Sequence, residues 1–207
     1  MARRRNADLH GNAPDASPVA LLIVDAINDL EFEGGAAMLP RAVRMARAIA
    51  ALKRRTTSAG IPAIYVNDNF GRWRSDFRRI VSHCLHDGVR GQPVVELLVP
   101  DDDDYFVLKP KHSGFYNTTL DLLLEHLQVE TLILTGMATD VCVLFTAADA
   151  YMRDLRVIVP RDCVTALTPS VHRTALDQMG RALKARVVAS RSIDVGRLTR
   201  RRRVRTT

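Results

Sequence analysis

The segment TLILTGMATDVCV, Thr131–Val143, joins a thiol to a backbone arrangement that can activate it. A short apolar, β-branched run, Thr131–Thr135, meets Gly136, and a helix-forming stretch begins almost at once. The pattern predicts a strand, a tight turn and a helix, with Thr139 or Asp140 as N-cap. Cys142 then falls in the first helical turn, where free N–H groups and the positive end of the macrodipole favour a thiolate. Such a turn can also aim backbone N–H groups at a developing oxyanion, as acyl transfer requires. A lone cysteine is more often an inert buried residue. Its place after a strand C-terminus argues for chemistry, because α/β sheets present ligands there.

A cysteine nucleophile needs a base for its proton and a partner for its charge. Asp25 closes the apolar run Val19–Val24 in VALLIVDAINDL. If the strands are parallel, this acid shares a sheet edge with Cys142; the plainer reading is a helix cap or turn acid. Lys109 follows the short strand Tyr105–Leu108 in YFVLKPKHSGFYNTTL, with Lys111 as its rival and a solvated surface amine as the alternative. Acid, amine and thiol at three strand ends make one site.

Together, LLIVDAINDL (Leu21–Leu30), VLKPKHSGFYNTTL (Val107–Leu120) and TGMATDVCVLFTAADA (Thr135–Ala150) resemble the isochorismatase-like cysteine hydrolases. This superfamily includes nicotinamidases and N-carbamoylsarcosine amidases. A weaker match is RVIVPRDCVTAL, Arg156–Leu167, and order and spacing agree from about Val19 to Ser190. The resemblance implies Asp25 as catalytic acid/base, Lys109 as catalytic lysine and Cys142 as nucleophile. The family lysine stands four residues before a Ser-(Ala/Gly)-Phe element, here Ser113–Gly114–Phe115, which selects Lys109 over Lys111. The family also carries a non-proline cis peptide, here Met137–Ala138. It turns the Ala138 N–H toward the Cys142 N–H to form an oxyanion hole.

The departures narrow the chemistry. Many members carry Gln two residues after the catalytic Asp; here Ile27 stands there, followed by the expected Asn28 and Asp29. Nicotinamidases bind a metal through Asp-x-His and a later His. At that place Asp68 is present, but Phe70 replaces the imidazole, so no metal is expected. His83 and His86 lie three apart, yet two imidazoles do not make a closed zinc site. No Gly-x-Gly-x-x-Gly follows the first strand, and no cofactor is expected.

Composition fits one enzyme domain: 207 residues, 47% of them hydrophobic, are enough for a full core. No apolar run approaches the roughly 20 residues that cross a bilayer, and MARRRNADLHGN has no apolar core of a secretory signal. Three widely spaced cysteines fit a reducing cytoplasm, with Cys84 and Cys163 as structural thiols. The net charge of +7 sits in the terminal segments. Without Arg3, Arg4, Arg5, Arg197, Arg200, Arg201, Arg202, Arg203 and Arg205 it becomes −2. Nothing beside these arginines suggests base reading, so no specific nucleic-acid partner is expected.

The elements alternate as βαβ units without an internal repeat. Pro40 opens a helix whose Val43, Ala46, Ile49 and Ala50 share a face, with Arg41, Arg44 and Arg47 mainly outside. Lys53, Arg54 and Arg55 suit its C-terminal end, and Gly60 stops it. Ile61–Val66 reads as a strand, Phe77–Leu85 as a helix within the irregular stretch Asn67–Pro100, and Asp101–Asp104 as a solvated acidic turn. A helix near Thr118–Leu127, helix Thr139–Met152, strand Arg156–Val159, helix Ser170–Leu183 and strand Ala185–Ala189 complete the chain. The expected fold is α/β: a three-layer α/β/α sandwich around a mostly parallel six-stranded sheet, an isochorismatase-like (Rossmann-like) hydrolase fold. The domain is expected over residues 17–193, between basic flexible tails at 1–16 and 194–207.

The expected reaction is hydrolysis of a small amide or carbamoyl C–N bond through a thioester on Cys142. Isochorismate-type vinyl-ether hydrolysis, or a non-catalytic small-molecule or polyanion-binding protein on the same fold, is the alternative. Phe32, Phe70, Trp73, Phe115 and Tyr116 are candidates for the pocket wall, core or lid being their other role. The partners expected are a small-molecule substrate and, by resemblance, further copies of the chain in a dimer or tetramer; no membrane is involved.

Overall fold

The computed structural model describes residues 16–71 and 76–199. Trp73, nearly all of the N-terminal basic segment and residues 200–207 lie outside the described residues.

The apolar runs form seven strands: β1 (Val19–Val24), β2 (Ala63–Asp68), β3 (Tyr105–Lys109), β4 (Thr131–Met137), β5 (Arg156–Pro160), β6 (Val164–Thr165) and β7 (Arg186–Val188). The sheet order is β3-β2-β1-β4-β5-β7, with β6 on β4, and every pairing among them is parallel. Among the described residues the expected count of six is therefore corrected to seven. The missed strand has two residues, too few to show a period of two.

Both faces are covered by α1 (Gly35–Ser58), α2 (Phe77–His86), α3 (Gln92–Val95), α4 (Leu120–His126), α5 (Leu144–Tyr151), α6 (Pro169–Ala182) and α7 (Val195–Leu198). Alternation along β1 divides the core. Val19, Leu21 and Ile23 join Ala42, Met45 and Ile49 of α1, whereas Ala20, Leu22 and Val24 join Leu124, Ala147 and Met179 on the other face. Each fully buried aliphatic side chain contributes about 1.5–3 kcal/mol, so this two-sided burial dominates the stability of β1. Among the described residues, no helix is long and apolar enough to cross a membrane.

Four local readings change. Helix α1 starts five residues before Pro40, after Gly34 at φ 83°; Pro40 lacks the N–H that would have bonded Ala36. Arg41 turns inward and its Nη2 donates to the Leu167 carbonyl. The acidic turn is not simply solvated: Asp101 and Asp104 both grip Lys53, a buried residue whose ammonium lies 5.3 Å from the Tyr65 ring centre. Lys53 reads as a helix-end surface charge in sequence because its partners come 48 and 51 residues later. Packing also continues past Ile193, where Asp194 caps α7 and Val195 is buried in the core.

Candidate active site

The sheet order reverses between β1 and β4, and the carboxyl ends of strands at such a switch form a natural crevice. Asp25 leaves β1 there with φ 48°, its N–H donating to the Val66 carbonyl at 2.9 Å. Lys109 ends β3, two strands away or roughly 10 Å at the usual strand spacing. Its long side chain passes over the end of β2 and closes that gap. Nζ donates to Asp25 Oδ2 at 2.8 Å, to the Lys111 carbonyl at 3.2 Å and to Cys142 Sγ at 3.5 Å. Lys109 is fully buried and Asp25 is 5% exposed, so these charges interact with little water between them.

Burial sets the protonation states. It raises the Asp25 carboxyl above the ordinary carboxylate value, against the opposing pull of Lys109 and a hydrogen bond from Cys142. Burial would lower Lys109, but Asp25, Cys142 and Asp68 hold its pKa above the normal lysine value. The Cys142 thiol is pushed up to about 12, first by burial and then by the Asp25 charge, despite Lys109 beside it. The thiolate favoured by a helix N-terminus is thus not the resting state. Cys142 rests as a thiol that donates its hydrogen to Asp25, the geometry for removing the proton only when the sulfur attacks.

The turn that carries Cys142 also differs from the strand–cap–helix expectation. Strand β4 runs on through Gly136 to Met137, and the Met137–Ala138 peptide is cis. Gly136 has φ 108°, and a Cβ there would lie 1.9 Å from the Val24 carbonyl oxygen. Gly136→Ala should therefore cost more than about 3 kcal/mol, read as a fall in the urea midpoint with an unchanged slope. A loss under about 1 kcal/mol would show that β1 and β4 can separate locally.

Residues Thr139–Val143 then form a π-helical turn before α5. Its cap is the Ala138 carbonyl, which accepts from the Val141 and Val143 N–H groups, and no side chain caps it. Thr139 is instead fully buried, with Oγ1 bonded to His172 Nδ1 at 2.9 Å. A capping hydroxyl and one that ties the turn to α6 look alike in sequence.

Asp68, which sequence marks only as the acid of the metal position, and Asn67, which it does not mark at all, support the cluster. The Asp68 N–H donates to Asp25 Oδ1 at 2.6 Å, while Asp68 Oδ2 lies 3.5 Å from Lys109 Nζ. Asn67 bonds both backbone groups of Ile27, its Nδ2 to the carbonyl at 2.7 Å and its Oδ1 to the N–H at 3.3 Å. This pair fixes the loop just after Asp25. The usable signal was the polar pair Asn67–Asp68 closing an apolar strand.

The described candidate pocket aromatics differ in burial. Phe32 follows β1 and Phe70 follows β2; both are exposed, as is Tyr116. Phe115 is core, packed with Leu120 and Leu124 beneath the Arg153 guanidinium, 4.5 Å from its ring. Asp68 accepts from the Phe70 N–H as well, and His83 lies against Asp87 at 2.7 Å and Asp29 at 3.5 Å. Among the described residues no three His, Cys, Asp or Glu side chains converge to hold a metal. Cys84 and Cys163 are buried thiols, each pushed up to about 12 first by burial and then by neighbouring carboxylates.

Comparison with known proteins gives a consistent picture. The Isochorismatase domain matches residues 19–192. The uncharacterized isochorismatase family protein YaaI of Bacillus subtilis is 39% identical over 174 residues, spanning 84% of this chain and 95% of that protein. The ureidoacrylate amidohydrolase RutB of Methylobacterium radiotolerans is 31% identical, with 79% and 74% covered. Among solved structures, the N-carbamoylsarcosine amidase from Thermoplasma acidophilum superposes with a TM-score of 0.65 at 31% identity, covering 85% of this chain and 98% of that one.

Proposed function

The chain belongs to the isochorismatase family, and from that membership we propose that it hydrolyses a small amide or carbamoyl C–N bond through a Cys142 thioester. One observation carries this reading: the Lys109 ammonium lies 2.8 Å from the Asp25 carboxylate and 3.5 Å from the Cys142 sulfur in a buried site. The names of two similar proteins, a ureidoacrylate amidohydrolase and an N-carbamoylsarcosine amidase, support a carbamoyl-type substrate.

In the first half-reaction Cys142 gives its proton to Asp25 as Sγ bonds to the carbonyl carbon. The N–H groups of Ala138 and Cys142 receive the oxyanion, and the Lys109 charge offsets the negative charge passing through sulfur. Asp25 then returns its proton to the departing nitrogen as the C–N bond breaks. In the second half-reaction Asp25 takes a proton from water, hydroxide attacks the thioester, and the carboxylic or carbamic acid leaves as the Cys142 thiol re-forms. A panel of small amides and ureido compounds, followed by ammonia release and by mass spectrometry of Cys142, tests this. Turnover with no trappable adduct on any substrate would count against the thioester.

The lysines separate cleanly. Lys109→Ala removes the only ammonium in contact with Asp25 among the described residues and leaves a buried carboxylate unpaired. It should lower turnover by at least about 10²-fold and stability by about 3–5 kcal/mol. Exposed Lys111 offers only its carbonyl to the site, so Lys111→Ala should change kcat less than about three-fold. Equal effects from the two would refute the assignment.

The residues at the metal position point the same way. With Phe70 in place of an imidazole and Asp68 turned toward Lys109, exhaustive chelation should leave kcat unchanged. Loss of activity restored by a divalent ion would reverse this reading.

A further inference from the structure

A second hollow lies at the same end of the sheet, between the N-terminal half of α1 and the start of α6. Its volume is about 320 Å³, and its polar lining includes Arg41, Arg44, Thr165, Thr168 and His172. It shares no lining residue with the Asp25–Lys109–Cys142 cluster.

Two guanidinium groups against one carboxylate leave its lining net positive. Asp162 also lines it, but that carboxylate is engaged by Ser190, taking the backbone N–H at 2.7 Å and the hydroxyl at 2.6 Å. Those donors are neutral, so Asp162 keeps its charge but is turned to Ser190, and two guanidinium groups stand against it. Arg41 is held at one corner by the Leu167 carbonyl, while its Nε is buried with no hydrogen-bond partner among the described residues. A buried unpaired donor is costly, and an unfilled ion or ligand position is one of its few physical explanations. Helix α6, 14 residues long, begins at the rim and adds the partial positive charge of its first turn.

We propose that this hollow is a binding site for a small oxyanion, the carboxylate or phosphate group of a metabolite, held by Arg41 and Arg44. Planar guanidinium groups match both headgroups, and the cavity has room for a molecule of a few heavy atoms beyond the charge.

The site has a built-in reporter. His172 lines the hollow with Arg41 and Arg44, Arg173 lies beside it on α6, and Asp140 approaches from the π-helical turn. Its pKa is below the ordinary histidine value, chiefly through burial and then the charge of Arg173. An anion bound nearby favours the imidazolium, so the pKa must rise on binding. Through Thr139 the same ring touches the turn that carries Cys142.

The test is an NMR titration of the histidine rings of the full chain, with the His172 signals identified by their loss in His172→Gln. Inorganic phosphate and acetate are each added against sodium chloride at matched ionic strength. A saturable rise in the His172 pKa of about 0.5 or more is expected with at least one of them, the tighter marking the headgroup. Arg41→Gln combined with Arg44→Gln should abolish it. The exposed Arg44→Gln alone, which leaves the Leu167 anchor intact, should weaken binding by at least about three-fold. No rise beyond the chloride control, or an unchanged saturable rise in Arg44→Gln, would overturn the proposal. The readout uses no turnover, so it stands or falls apart from the hydrolase reading.

Discussion

Cys142→Ala should abolish turnover and leave no mass adduct on the protein. The expected fall in kcat is at least about 10⁴-fold, because removing the nucleophile of a covalent hydrolase removes the whole pathway rather than one stabilising contact. Fold stability should barely change. Cys142 is a small residue of intermediate exposure overall, and the Asp25–Lys109 pair, which carries the electrostatic cost of the site, stays intact. Thermal unfolding within a few degrees of the parent, with activity gone, is the combined signature. Cys142→Ser discriminates further, since its hydroxyl keeps a proton for Asp25 but is a far weaker nucleophile. If Cys142→Ala turned over at the parent rate, the thioester route would be excluded and the vinyl-ether alternative would take its place.

Asp25→Asn should lower kcat/KM by at least about 10²-fold, the usual scale for a positioned acid/base. The pH profile carries the sharper information. Asp25 must be ionised to accept the Cys142 proton, and its pKa is raised by burial. Activity should therefore be lost as pH falls through a value above the ordinary carboxylate range and be complete on its alkaline side. No compensating loss should come from Lys109, which is held above its normal value, and Cys142 remains a thiol until about 12. In the parent the acid limb should be a single ionisation, and the residual activity of Asp25→Asn should lose it. An acid limb that survives the substitution would assign the ionisation to another group and remove Asp25 from the role of base.

Much of this architecture is legible in the chain, for a physical reason. Strands buried on both faces must be continuously apolar, so Val19–Val24 and Thr131–Thr135 declare themselves, and the helices between them follow from chain crossover in a parallel sheet. Asp25, Lys109 and Cys142 stand out because each interrupts or follows such a run, and the structure brings all three within contact. What escaped were features decided by distant partners. The Lys53 ammonium is buried because Asp101 and Asp104 reach it, and Thr139 abandons capping because His172 arrives from α6. The protonation of Cys142 was misjudged for the same reason. Local helix geometry favours the anion, but burial, which only the folded chain reveals, outweighs it.

The length of α1 has a consequence for how such a protein diversifies. Its 24 residues span about 36 Å, whereas the six residues of β1 span only about 20 Å. The helix ends close to the start of β2, so the excess lies at its N-terminal end and rises beyond the sheet like a parapet beside the crevice. That overhang rests on loops rather than strands, with Gly34 and Arg41 against Leu167. Adding or deleting a helical turn near Pro40 would change the height of the wall by about 5.4 Å without disturbing strand pairing. The overhang can thus change length while Asp25 and Lys109 at the strand ends, and Cys142 in the turn after β4, keep their places.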